Sequence, residues 1–167
     1  MKIFAVVGYA NTGKTTLIQK LICELRKRKQ TVAVIKHCSQ GFELDRPGTD
    51  SWRFMQAGSQ GVALLSPQKL AVLQTRNSPA DAKQIAEAYF NDSDIILIEG
   101  GKHEPGIPKI WILREGEEGL EEVDREEVVA LVSEQDIDID IPLFHPGQIQ
   151  GLADFIFEYW GSHGISC

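Results

Sequence analysis

The chain has 167 residues and a formal net charge of −7, from 24 acids against 17 bases. That length fits one domain over 1–167 better than two, and the acidic balance argues against a surface built for broad contact with nucleic acid or anionic lipid. Apolar residues at 43% supply a core that needs neither disulfides nor a structural metal, and no apolar run approaches the roughly 20 residues that span a bilayer.

Residues 2–7, KIFAVV, form a continuous apolar run ended by Gly8, the pattern of a strand buried on both faces. This run is too short for a signal-peptide core, because a glycine-rich loop follows at once. From Lys14 to Lys29 the period changes: Leu17, Ile18, Leu21, Ile22 and Leu25 recur at helical spacing. The RKRK run at 26–29 reads as a solvated helix end, where cations suit the dipole. TVAVIK at 31–36 is a second buried-type strand, which completes a right-handed βαβ unit with parallel strands.

Residues 37–48 are polar and read as a loop, with a short helix over 49–57 ended by Gly58. GVALLS (61–66) and KLAVLQT (69–75) read as two strands in a tight, hairpin-like connection. A helix over 78–90 has Ser78 as its candidate N-cap and Pro79 at its first position. DIILIEG (94–100), KIWILR (109–114) and VVALVS (128–133) are further strands, the last of them the final central one. The acid-rich stretch 115–127 reads as a solvated turn, and 148–160 as a closing amphipathic helix. This alternation predicts an α/β fold with a mainly parallel sheet flanked by helices, that of a P-loop NTPase. Cys23, Cys38 and Cys167 lack paired spacing, so reduced thiols in a soluble, cytoplasmic protein are the expectation.

Residues 8–15, GYANTGKT, satisfy the phosphate-loop pattern in full, with a strand before and a helix after. Gly8 and Gly13 let the backbone approach phosphate in conformations that a Cβ hinders. Backbone N–H groups from Asn11 and Thr12 to Thr15 can converge on the anion at a positive helix end. Lys14 is expected to bridge the β- and γ-phosphates, the Thr15 hydroxyl to ligate Mg²⁺, and Thr16 to reach the α-phosphate.

Such a site needs an acid at the C-terminal end of a neighbouring strand. Glu99 ends the IILI run and is the candidate for the Mg²⁺ shell or for positioning a water, whereas Asp94 begins that strand and lies at the wrong end. Asp45 and Asp50, in the loop after the second strand, are further candidates for the Mg²⁺ shell. Arg46 and Arg53 face either phosphate or solvent. Lys36 and His37 stand at a strand end close to the phosphates, and His37-Cys38 offers two metal ligands without a second pair. No NKxD motif reads guanine; SEQD at 133–136 places Asp136 at the corresponding offset.

With these residues in view, the chain resembles the molybdopterin-guanine dinucleotide biosynthesis protein B (MobB) family. The resemblance rests on GYANTGKTTL, on the strand ending IKH at 35–37, on FELDRPGTDSWRFMQAG at 42–58 and on DIILIEGGK at 94–102. Cys38-Ser39-Gln40 departs from a more His-rich stretch of the family, and Gly101 replaces what is more often an aromatic. The resemblance implies a GTP-binding homodimer with weak, Mg²⁺-dependent GTPase activity. It also implies an accessory partner of the guanylyltransferase that joins GMP to molybdopterin, and makes molybdopterin itself a candidate ligand. Competing readings are a P-loop small-molecule kinase, against which the acidic 114–127 region offers no Arg-rich lid, a metallochaperone GTPase using His37, Cys38 and His103, and an interaction module with a vestigial loop.

Overall fold

The structure, a computed structural model, describes residues 1–78, 81–114, 116 and 124–162. The chain divides into two compact units, one of Met1–His37 with the described residues from Asp81 onward, the other of Cys38–Ala80.

The larger unit is built on a six-stranded parallel sheet. Its strands are β1 (Lys2–Val7), β2 (Val32–Lys36), β5 (Ile95–Glu99), β6 (Lys109–Ile112), β7 (Val128–Val132) and β8 (Leu143–Phe144), in the order β2-β5-β1-β6-β7-β8. Every neighbouring pair in that order is parallel. The central strands read as unbroken apolar runs because both faces are covered. Successive side chains alternate between two cores. Phe4, Val6, Ile95 and Leu97 join Leu17, Ile18, Leu21 and Leu25 of α1 (Lys14–Lys27) and Leu152, Ala153 and Ile156 of α4 (Ile149–Ser162). Ile3, Ala5, Val7, Ile96 and Ile98 join Ala82 and Ala86 of α3 (Ala82–Tyr89) on the other face.

The sequence reading holds for these elements with two corrections and one addition. Helix α3 starts later than 78: Asp81 is its N-cap and its carboxylate accepts from Lys83 N, because a side-chain acceptor there satisfies an orphan N–H; Pro79 lies outside the described residues. β7 is the last central strand, as read, and the two-residue β8 adds an edge strand beside it through Leu131–Leu143 and Val132–Phe144. Within the acid-rich stretch, Glu127 is not a solvated side chain. It pairs with Lys109, whose ammonium is buried and also donates to Glu104 O at 2.8 Å and Ile107 O at 3.2 Å. Residues 115 and 117–123 of that stretch lie outside the described residues.

The smaller unit holds α2 (Asp50–Gln56), capped by Thr49 accepting from Trp52 N, and the antiparallel pair β3 (Gly61–Leu65) and β4 (Leu70–Gln74). The expected hairpin is therefore present, as a two-stranded sheet of its own.

Candidate functional site

β1 is central, and its two neighbours continue in opposite senses: β5 lies on the side of β2, β6 on the side of β7. In open α/β sheets ligands gather at the C-terminal edge where the order reverses in this way. The loop Gly8–Gly13 leaves β1 at that point and feeds α1.

Its backbone explains its composition. Asn11 and Gly13 take φ of 61° and 91°, in the left-handed region. Gly8 has φ 148°, and a Cβ built there would stand 2.7 Å from the Ile112 carbonyl oxygen, so only glycine lets the loop cross β6 at this distance. Gly13 precedes α1 and offers no side-chain cap, and no acid stands in the first turn. The positive end of α1 is thus left to whatever anion the loop receives. Thr12 is buried and its hydroxyl donates to Tyr9 O at 3.0 Å. The Lys14 ammonium donates to Gly8 O at 3.0 Å and to Tyr9 O, spanning the loop. Thr16, one residue further along α1, is exposed.

Glu99 closes the site from β5. The Thr15 hydroxyl donates to its Oε1 at 2.6 Å, and the Lys36 ammonium stands 3.4 Å from its Oε2. Strand register places it there, since Glu99 is the Cα partner of Val6 in β1 and of Lys36 in β2. Thr15 and Glu99 thus present two oxygens side by side, the donor type a hard divalent cation takes. Asp94, at the opposite end of β5, instead accepts from Thr31 N at 2.8 Å and Thr31 Oγ1 at 2.7 Å. Those bonds hold its carboxyl below the ordinary range.

The remaining candidates are placed differently. Asp45 accepts from the Ser51 hydroxyl and from Arg46 N at 2.7 Å, and these bonds, the Ser51 one foremost, lower its pKa. Asp50 is exposed and 3.6 Å from Arg53 Nη1. Both belong to the smaller unit, while Thr15 and Glu99 belong to the larger. Asp136, in the loop after β7, is fully exposed, with His145 Nε2 3.7 Å from its carboxylate. His37 faces Glu104 at 3.8 Å. Among the described residues no three His, Cys, Asp or Glu side chains gather as a metal-binding group.

Two neighbours of the loop escaped the sequence reading. The Arg114 guanidinium, just beyond β6, donates to Asn11 O. The Lys102 ammonium lies 5.4 Å from the Tyr9 ring centroid and 5.7 Å from that of Trp111, and the two rings meet edge to face. The contacts of Arg114 with Asn11 and of Lys102 with Tyr9 join distant segments of the chain, for which no local pattern gives a signal.

A family model described as "Molybdopterin guanine dinucleotide synthesis protein B" matches residues 3–134. The molybdopterin-guanine dinucleotide biosynthesis adapter protein of Haemophilus influenzae is 38% identical over 163 residues, covering 96% of this chain and 90% of its own length. The adapter protein of Escherichia coli is 34% identical, covering 94% and 92%. Among solved structures, Bacillus subtilis MobB superposes with a TM-score of 0.77 at 26% identity, covering 95% of this chain and 97% of that one. A crystal structure of molybdopterin-guanine biosynthesis protein B gives 0.75 at 28%, covering 94% and 99%. The sheet order, the phosphate loop and these likenesses agree: the chain has a P-loop NTPase fold and belongs to the molybdopterin guanine dinucleotide synthesis protein B family.

Proposed function

We propose that this protein is a GTP-binding adapter of molybdenum cofactor biosynthesis, acting where molybdopterin becomes its guanine dinucleotide form. The observation that carries the reading is the left-handed loop between β1 and α1, with Lys14 across it and the Thr15–Glu99 pair at its rim. In this reading the N–H groups of residues 11–15 hold the phosphates and Lys14 balances the charge of the β- and γ-phosphates. Thr15 and Glu99 hold Mg²⁺, which offsets the charge of the transferred phosphoryl group. Thr16 serves the α-phosphate. Asp136 is the candidate guanine reader. Because Glu99 serves the cation rather than a water, slow hydrolysis is the expected behaviour.

The curated relatives carry the word adapter in their names, which supports a protein partner, the guanylyltransferase of this step, with molybdopterin as a second ligand. A homodimer is supported by the smaller unit: Leu64 and Leu65 of β3 and Leu70 and Val72 of β4 are exposed. A two-stranded sheet is marginal by itself, and a second copy would cover those side chains. No described helix is long and apolar enough to cross a membrane, which is compatible with a cytoplasmic protein.

Thermal unfolding with Mg²⁺ and GTP, Mg²⁺ and ATP, or neither tests the reading. Ligand at about 100 times its dissociation constant stabilises the native state by about 2.7 kcal/mol. The expected result is a rise with GTP that Lys14→Ala abolishes. An equal or larger rise with ATP would remove the guanine assignment in favour of a kinase, and no rise with either would remove the nucleotide reading.

A further inference from the structure

We propose that Lys36 makes cation binding at this site conditional on a triphosphate, so that the protein distinguishes a nucleoside triphosphate from a diphosphate. The inference rests on the nucleotide reading above and names a residue to which that reading gives no role. β2 and β5 are parallel, and Lys36 and Glu99 are the last Cα partners of their register. Paired residues on neighbouring strands project to the same face. Glu99 is also in register with Val6, whose side chain belongs to the core under α1. Lys36 therefore stands on the α1 face, at the sheet edge where the phosphate loop runs into α1.

The two oxygens of the Glu99 carboxylate are divided there. Oε1 accepts from the Thr15 hydroxyl at 2.6 Å, and Oε2 lies 3.4 Å from the Lys36 ammonium. The Glu99 side chain is only 14% exposed, which weakens the screening of this pair by water. A divalent cation entering between Thr15 and Glu99 meets a carboxylate whose charge Lys36 already balances. The site then carries two surplus positive charges within a few ångströms, and like charges so close repel. A diphosphate does little to relieve this, because its charge is met by Lys14 and the loop N–H groups. The terminal phosphate of a triphosphate brings further negative charge to the place where the cation, Lys14 and Lys36 converge. Lys36 thus opposes the cation when that phosphate is missing and attracts the phosphate when it is present. Its exposed stem lets the ammonium move from Glu99 to the phosphate without disturbing the core.

The test is calorimetric titration in Mg²⁺ of GTPγS and of GDP into wild type, Lys36→Met, Lys36→Arg and Lys14→Ala. Lys36→Met is expected to shrink the ratio of GDP to GTPγS dissociation constants by about tenfold or more, equivalent to at least about 1.4 kcal/mol. Lys36→Arg, which keeps the charge, is expected to retain most of the ratio, and Lys14→Ala to lose both ligands. A ratio left unchanged in Lys36→Met, including an equal loss for both ligands, overturns the role of Lys36 while the nucleotide reading stands. Failure of wild type to bind either ligand overturns both.

Discussion

Replacing Glu127 by Gln isolates the contribution of the buried Lys109–Glu127 ion pair. Lys109 is fully buried and its ammonium has three partners: the Glu127 carboxylate and the carbonyls of Glu104 and Ile107. Removing one member of a buried pair costs about 3–5 kcal/mol, because the other charge is left uncompensated. Glu127 is 22% exposed and the two carbonyls remain, so the lower end, about 3 kcal/mol, is expected. For a chain of this size that lowers the melting temperature by about 6–12 °C. Lys109→Met should cost less, since it leaves behind a carboxylate that still reaches water and accepts from Gly106 N. The sign with pH follows from Glu127. Its pKa is lowered from 4.5, first by the hydrogen bond from Lys109 and also by Gly106 N and the Lys109 charge, against the opposing effect of burial. A depressed carboxyl contributes stability that is complete above its unfolded value near 4.5 and is lost as pH falls through its lower folded value. Urea unfolding of wild type and Glu127→Gln should therefore differ by the full amount at pH 7, and the difference should shrink only below pH 4.5, as pH falls through the lower folded value. A difference under about 0.5 kcal/mol at pH 7 would refute the reasoning, because an orphaned buried ammonium cannot be that cheap.

Gly8→Ala should destabilise the fold by about 2–3 kcal/mol in urea unfolding, since the new Cβ meets a carbonyl of β6 and φ is positive; an effect below about 0.5 kcal/mol would contradict that approach. Glu99→Gln should weaken Mg²⁺-dependent nucleotide affinity by about tenfold or more in titration calorimetry while leaving Mg²⁺-free binding nearly intact. Equal losses with and without Mg²⁺ would place Glu99 outside the cation shell. Leu65→Glu, at the exposed end of β3, should convert a dimer to a monomer in analytical ultracentrifugation, and a dimer that survives it would move the interface elsewhere.

The central sheet and the phosphate loop are legible in the sequence because each is coded locally. Apolar runs such as Phe4–Val7 need burial on both faces, and Gly8, Gly13 and Lys14 have a fixed spacing with a physical reason at each position. Glu99 was legible by one further step, because the end of an apolar run next to the first strand is also the end of a strand in a parallel sheet. The buried Lys109 was not, since a lysine opening a strand and a glutamate in an acidic stretch each look solvated until the fold joins them. β8 escaped for a different reason: two residues are too few to set a period. The Arg114 and Lys102 contacts with the loop depend on strand order, which neither composition nor spacing encodes.

The most direct test is a crystal structure with Mg²⁺ and a non-hydrolysable GTP analogue. The account predicts phosphates within hydrogen-bond distance of the N–H groups of residues 11–15 and of Lys14. It also predicts Mg²⁺ on the Thr15 hydroxyl, with Glu99 bonded to it directly or through one water. A nucleotide bound away from the Gly8–Thr15 loop, or a cation that touches neither Thr15 nor Glu99, would contradict it.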